Sequence, residues 1–369
     1  MIYFDHNATT PLDSRVLDAM LPYLKSFYGN PSSLYRQGRI VRSAIDNARE
    51  QIASLVDAPA AQIIFTSGGT EANNLALASL PPQGKLAISA IEHPSVIEPA
   101  LRFKRNGGHL DFLDVDTNGL INPVAIDKLI QTKPDGVSIM LANNETGVIQ
   151  NLTPYINKFR DNHIIFHTDA VQAVGKIPVS FSKLGAHLMS LSSHKIYGPK
   201  GCGALIFEKG LEINPLLLGG GQEQSLRAGT ENVAAIIGFG KAAELAQTEL
   251  NNRQEKLLTL RLLLETNLTN IPGLIIFALQ TPRLPNTVQF GIHGVDGEML
   301  LMQLDQKKIA VSSGSACASE SKASSHVLKA MNIEENLAKS ALRISLGIEN
   351  TEAEIFEFIY QLKTLVHPT

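Results

Sequence analysis

From residue 62 onward the chain alternates short, continuously apolar runs with stretches of helical periodicity. The runs are Ile63-Ile64-Phe65-Thr66, Leu86-Ala87-Ile88-Ser89, Leu110-Asp111-Phe112-Leu113, 136–141 and 164–167, with helical stretches such as 95–106, 122–131 and 153–162 between them. A strand apolar on both faces must be covered on both. The pattern therefore predicts an α/β fold with a mostly parallel sheet clothed by helices on each side. Gly203-Ala204-Leu205-Ile206-Phe207 reads as one more strand.

Ahead of this series, Val16, Leu17, Met20, Leu21 and Leu24 have helical spacing. Gly29 to Ser33 breaks it, with Ser32 or Ser33 as the N-cap of a long helix through Ile40, Ile45, Ile52 and Leu55. After it, residues 231–268 read as one long, bent helix. The order then restarts on a smaller scale. Strands fit 274–278, 287–291 and 342–346, and helices fit 296–307, 324–331 and 352–365. A length of 369 residues suffices for two domains. We expect a large α/β domain over 15–250, and a smaller α+β domain built from 1–14 and 251–369.

Composition narrows the function. A net charge of −3 gives no basic footprint for nucleic acid or an anionic membrane surface. Two cysteines, Cys202 and Cys317, exclude a disulfide framework. No apolar run is long enough to span a membrane, and Met1 to His6 lacks a signal peptide's basic region, so a cytoplasmic protein is expected.

Polar side chains gather where the strands end. Ser192-Ser193-His194-Lys195 follows the run His187 to Leu191. A lysine at the carboxyl edge of a sheet can be desolvated and form a Schiff base; its plainer reading is a surface lysine in a turn. Thr66 to Asn73 leaves a strand through Gly68-Gly69 and opens a helix, which suits a phosphate, or else is a capped helix after a glycine turn. His167-Thr168-Asp169 offers a carboxylate for a pyridine nitrogen, two metal ligands without a third nearby, or a capping aspartate. His93 could stack on a planar ring, shuttle protons, or be structural. Asn143 and Asn144 put amides at another strand end.

Further along, Gly219 to Gln224 and Arg227-Ala228-Gly229-Thr230 form a second glycine-rich loop, able to make another phosphate contact. Gly238-Phe239-Gly240 lies in a helical stretch and is not a dinucleotide motif. Arg343 interrupts an apolar strand, as a carboxylate clamp or a structural ion pair. Cys317 centres a small, polar run, 311–323, as a nucleophile or a chance cysteine; Cys202 enters an apolar strand as a buried filler.

The segments Ser192 to Gly201, Arg227 to Thr230 and Ser312 to Cys317, in this order, resemble the NifS/IscS-type cysteine desulfurases of the class V aminotransferase family. The likeness runs from Tyr3 to about Leu365. It implies fold type I, with a seven-stranded sheet, and pyridoxal 5'-phosphate as cofactor. By resemblance Lys195 carries the cofactor, His93 stacks on its ring, Asp169 meets the ring nitrogen, and Asn144 and Gln172 meet the ring oxygen. Gly69, Thr70, Ser192 and His194 match the phosphate site, and Thr230 reaches the neighbouring subunit's phosphate in a homodimer. Arg343, with Asn144, holds the substrate carboxylate, and Cys317 takes the sulfur of L-cysteine as a persulfide. The implied partner is a sulfur-acceptor protein in iron–sulfur cluster assembly or in tRNA or cofactor thiolation. The enzyme has no metal of its own, although Cys317 could transiently ligate a cluster with a partner. Alternatives within the resemblance are a selenocysteine lyase, a transaminase, or a weakly catalytic sulfur-relay scaffold. One departure is Tyr35, where the family often has His.

Overall fold

The computed structural model describes residues 1–313 and 324–366, so Cys317 lies outside the described residues. In chain order the strands are β1 (Ile2–Tyr3), β2 (Ile63–Thr66), β3 (Lys85–Ser89), β4 (His109–Leu113), β5 (Gly136–Ser138), β6 (Ile165–Asp169), β7 (Leu188–Ser192), β8 (Gly203–Phe207), β9 (Leu274–Ile276), β10 (Thr287–Ile292), β11 (Ile309–Ala310), β12 (Ser312–Ser313) and β13 (Leu342–Ser345).

Seven of them form one sheet in the order β2-β8-β7-β6-β5-β3-β4. Its pairs are parallel except those of β8, which is antiparallel to both β2 and β7. Strand residues point alternately to the two faces. Ile63, Ala204 and Ile206 accordingly bury in one apolar cluster, and Ile64 and Leu205 in another on the opposite side. Each such Ile or Leu contributes about 1.5–3 kcal/mol of apolar burial. This is the layered α/β arrangement that the apolar runs predict.

A second, antiparallel sheet runs β12-β13-β10-β9, and β1 pairs in parallel with β11. Phe4 joins Val288, Phe290, Ile344 and Phe358 in a third cluster. Residues such as Val327, Leu328 and Leu337 pack instead with the first cluster, beside the large sheet.

Some elements differ from the sequence reading. Neither Ser32 nor Ser33 caps the second helix, Arg36–Val56; its N-cap is Tyr35, with no side-chain cap bond. Asn30 makes the preceding turn by accepting from Ser32 N–H through Oδ1 at 2.9 Å. The stretch 231–268 is two helices, Val233–Thr248 and Leu250–Leu268, with Glu249 between them. Glu249 pairs there with Arg15 at 2.5 Å and Arg253 at 2.7 Å. Gly238 and Gly240 are packing positions: an added Cβ would come within 2.6 Å of Met20 Sδ and of Ala48 Cα, respectively. Among the described residues no helix is long and apolar enough to cross a membrane.

Candidate active site

The reversal of β8 decides what meets at the sheet edge. Strands β2, β3, β5, β6 and β7 all deliver their carboxyl ends to one side, where open α/β sheets place their ligands. Gly203, at the start of β8, is registered with both Thr66 and Ser192. A Cβ there would lie 2.6 Å from the carbonyl carbon of Gly68, so only glycine lets the turn after β2 close over the edge.

At this edge lies a cavity of about 480 Å³ lined by Gly69, Thr70, His93, Asn144, Asp169, Gln172, Ser192, His194, Lys195 and Arg343, among others. These are all the site candidates but two. Thr230 is exposed and does not line it, although Arg227 in the same loop pairs with Glu71 at 2.9 Å on the phosphate-cup side. Cys317 lies outside the described residues.

Lys195 sits in the short 3-10 turn Ser193–Lys195 directly after β7. Its Nζ donates to the carbonyls of Asn7 at 2.5 Å and Ala8 at 2.7 Å. Asp169 ends β6, and its carboxylate accepts from Val171 N–H at 2.9 Å and from Asn73 Nδ2 at 2.7 Å. Asn73 Nδ2 also donates to Ser95 Oγ at 2.8 Å, and Ser95 Oγ lies 2.7 Å from His93 Nδ1. Because Ser95 N–H donates to the same Nδ1, that nitrogen is an acceptor and the neutral ring carries its proton on Nε2. Burial holds the His93 pKa below the ordinary histidine value, while the nearby Asp169 pulls it up.

The phosphate-type end is built from a helix start and hydroxyls. Gly69 and Thr70 open helix Gly69–Ala78, whose first N–H groups have no helical acceptor. Ser192 Oγ is buried without a partner among the described residues. His194 Nδ1 lies 3.1 Å from Thr9 Oγ1, and burial pushes its pKa down to about 4, so the ring is neutral.

Across the cavity Arg343 is buried on β13. It donates to Asp5 Oδ1 at 2.7 Å and to the Asn144 carbonyl at 3.1 Å, and its Nε has no acceptor among the described residues. It is thus an ion-paired residue and a cavity-lining donor at once. His167 is not available as a ligand: Ser138 Oγ and Ser190 Oγ lie at 2.8 and 3.0 Å from its two ring nitrogens. Among the described residues no three His, Cys, Asp or Glu side chains come together as a metal site. Cys202 is buried, which pushes its thiol pKa up and leaves it inert.

Asn7, Asn73, Ser95, Glu145 and His326 also line the cavity. Asn73 closes the Thr66 to Asn73 stretch, and Ser95 and Glu145 lie within two residues of His93 and Asn144, but nothing in the sequence marks them as site residues. Asn7 comes from the irregular polar opening, and His326 had no motif to mark it.

Residues 2–358 match the aminotransferase class-V family. The chain is 44% identical over 360 residues to a cysteine desulfurase IscS of Dictyoglomus turgidum, covering 96% of this chain and 91% of that one. The chain belongs to the NifS/IscS-type cysteine desulfurases of the class V aminotransferase family. As a member of that family it is an enzyme. Its fold matches a NifS-like protein from Rickettsia africae with a TM-score of 0.92, at 36% identity and with 99% of both chains covered. It also matches SspA in complex with cysteine, with a TM-score of 0.82, at 31% identity, covering 94% of this chain and 99% of that one.

The family's cofactor is pyridoxal phosphate, and the donor set of this desulfurase fits it. The cavity offers a lysine amine, a carboxylate fixed by two donors, and an unpartnered buried hydroxyl beside a free helix start. Tyr35, where the family often has His, is exposed and not among the cavity's lining residues.

Proposed function

We propose that this desulfurase takes sulfur from L-cysteine with pyridoxal phosphate, leaving L-alanine and a persulfide on Cys317 for an acceptor protein. The observation that carries the reading is the convergence of Lys195, Asp169, His93 and the Gly69/Thr70/Ser192/His194 group on one cavity. The cofactor, when bound, supplies an aldehyde that takes up amines and a ring that stores the electron pair of a broken Cα–H bond.

The chain's own groups do the rest. Gly69, Thr70, Ser192 and neutral His194 hold the phosphate with N–H and O–H donors. Asp169, kept in place by Asn73 and Val171, faces the ring nitrogen. Asn144 and Gln172 would take the ring oxygen, and neutral His93 would hold the ring's face. Arg343 binds the substrate α-carboxylate, for which its unpaired Nε is one donor. Lys195 Nζ removes the Cα proton. Cys317 Sγ, as thiolate, then attacks the substrate sulfur: the S–S bond forms, the C–S bond breaks, and the carbon keeps the pair and is protonated. A reducing cytoplasmic setting keeps Cys317 available for this step.

In this reading residues 15–250 carry the cofactor, and 1–14 with 251–369 carry Arg343 and Cys317. The enzyme works as a homodimer, with Thr230 turned to the partner's phosphate. Its acceptor is an iron–sulfur scaffold or a thiolation enzyme.

Borohydride reduction of the loaded protein followed by peptide mapping tests the assignment. The label is expected on Lys195 and absent from Lys195→Ala. Label on another lysine, with Lys195→Ala still labelled, would overturn it.

A further inference from the structure

A second lysine bonds to two residues that line the cavity, and nothing in the chemistry above uses it. Lys176 follows Gly175, whose φ of +76° turns the chain inward and at which a Cβ would press within 2.6 Å of Ile196. Lys176 is 7% exposed, and its Nζ donates to Asn7 Oδ1 at 2.8 Å and Gln172 Oε1 at 2.7 Å. No carboxylate pairs with it among the described residues. Burial, with Lys195 and Arg343 nearby, holds its pKa well below the usual lysine range. Two of its N–H groups are thus received by side-chain oxygens.

Both partners are side-chain amides, which can be turned either way round. Toward such a group a lysine N–H is a donor, so each amide must show it the carbonyl oxygen. The NH2 groups are thereby sent the other way. Asn7 Nδ2 donates to the Asn144 carbonyl at 3.0 Å and Thr287 Oγ1 at 2.9 Å. Gln172 Nε2 donates to the Asn7 carbonyl at 2.9 Å, the same oxygen that receives Lys195 Nζ. Gln172 lines the cavity and has one N–H left over. A carboxylate in place of Lys176 would reverse the Gln172 amide and present oxygen where a donor is needed, whereas the Asn7 amide is also held by Asn286 Nδ2, which donates to its Oδ1 at 3.1 Å.

We propose that Lys176 is a positioning residue of the cofactor site: it fixes the amide of Gln172 so that this side chain offers an N–H to the oxygen of a ring bound in the cavity. The proposal rests on the cofactor reading given above. Without Lys176 the orientation of Gln172 hangs on one bond to the Asn7 carbonyl.

The test compares wild type, Lys176→Met, Gln172→Met and the double variant. Each is checked for folding by circular dichroism and loaded with pyridoxal phosphate. Cofactor retention in equilibrium dialysis and the absorption maximum of the bound form are the readouts. Lys176→Met is expected to weaken retention about tenfold, the worth of one hydrogen bond to a buried polar group, and to shift the maximum. The double variant is expected to be no worse than Gln172→Met alone, because the two residues act through one contact. Independent, additive losses would overturn the proposal, as would wild-type retention with an unshifted maximum in Lys176→Met. Should Lys176→Met not fold, Lys176→Gln replaces it; a loss of about threefold or more is expected, and wild-type behaviour would overturn the proposal. Failure of the wild type itself to retain the cofactor would remove the cofactor reading, and this proposal with it.

Discussion

Arg343 and Asp5, 338 positions apart in sequence, meet at 2.7 Å beside the cavity that contains Lys195. The pair joins the first residues of the chain to β13 and leaves Arg343 Nε without an acceptor among the described residues. A guanidinium held in one plane with a donor to spare suits a substrate carboxylate better than a flexible ammonium does. Arg343→Lys is therefore expected to raise KM for L-cysteine about tenfold to a hundredfold with little change in kcat. Steady-state kinetics check this, and an unchanged KM would assign Arg343 to the ion pair alone. Asp5→Asn should lower stability by about 2 kcal/mol in denaturant unfolding, because a buried guanidinium loses its counter-charge.

The run Asp169, Asn73, Ser95, His93 predicts a pH effect. Ser95 Oγ, already accepting from Asn73, gives its proton to His93 Nδ1 and so favours the neutral ring. Removing that donor lets the His93 pKa rise toward its ordinary value. In Ser95→Ala the acid limb of the kcat/KM profile should move up by about half a unit to one unit. Asn73→Ala also releases Asp169 and should cut kcat by at least about tenfold. An acid limb unmoved in Ser95→Ala would remove His93 as the group read by that limb.

Glu92 gives the fold its own pH signature. It is buried beside the site, accepts from Ser89 Oγ at 2.5 Å and Met140 N–H at 2.6 Å, and burial pushes its pKa from 4.5 up to about 8. A carboxyl raised in the folded state is more protonated there than in the unfolded chain. Its contribution is thus complete below pH 4.5 and lost as pH rises toward about 8. Glu92→Gln keeps the accepting oxygen but carries no charge. The variant should match wild type in stability near pH 5 and exceed it by several kcal/mol near pH 9. The buried histidines act in the opposite sense: His6 and His194 near 4 and His167 near 3 stabilise fully above pH 6.5 and lose that as pH falls. Both proteins share them, so the difference isolates Glu92. Parallel stability curves would contradict the assignment.

Much of this architecture was legible in the sequence, for a physical reason. Strands buried on both faces are apolar throughout, so Ile63 to Thr66 and Gly203 to Phe207 could be bounded to the residue. The polar side chains placed after them had to converge once the strands shared a direction. What could not be read depended on contacts between distant segments. The two-residue strands β1 and β11 are too short to carry a period. At the helix break Glu249 pairs with Arg15, 234 positions away, a contact that no local pattern shows. Asn7 enters the site, and Lys176 bonds to it, from segments without a motif, through hydrogen bonds that exist only after folding. His326 comes to the cavity by donating to the Glu92 carbonyl at 2.9 Å, again a purely tertiary contact.

The central claim is that Lys195 and Cys317 together turn L-cysteine into alanine and transferable sulfur. The most direct measurement is product analysis of the loaded enzyme with L-cysteine and a reducing thiol. Alanine and sulfide should form in equal amounts, and both should vanish in Lys195→Ala. Cys317→Ser should keep the cofactor absorbance and lose sulfide. Equal yields of pyruvate and ammonia in place of alanine, or full sulfide release by Cys317→Ser, would contradict the account.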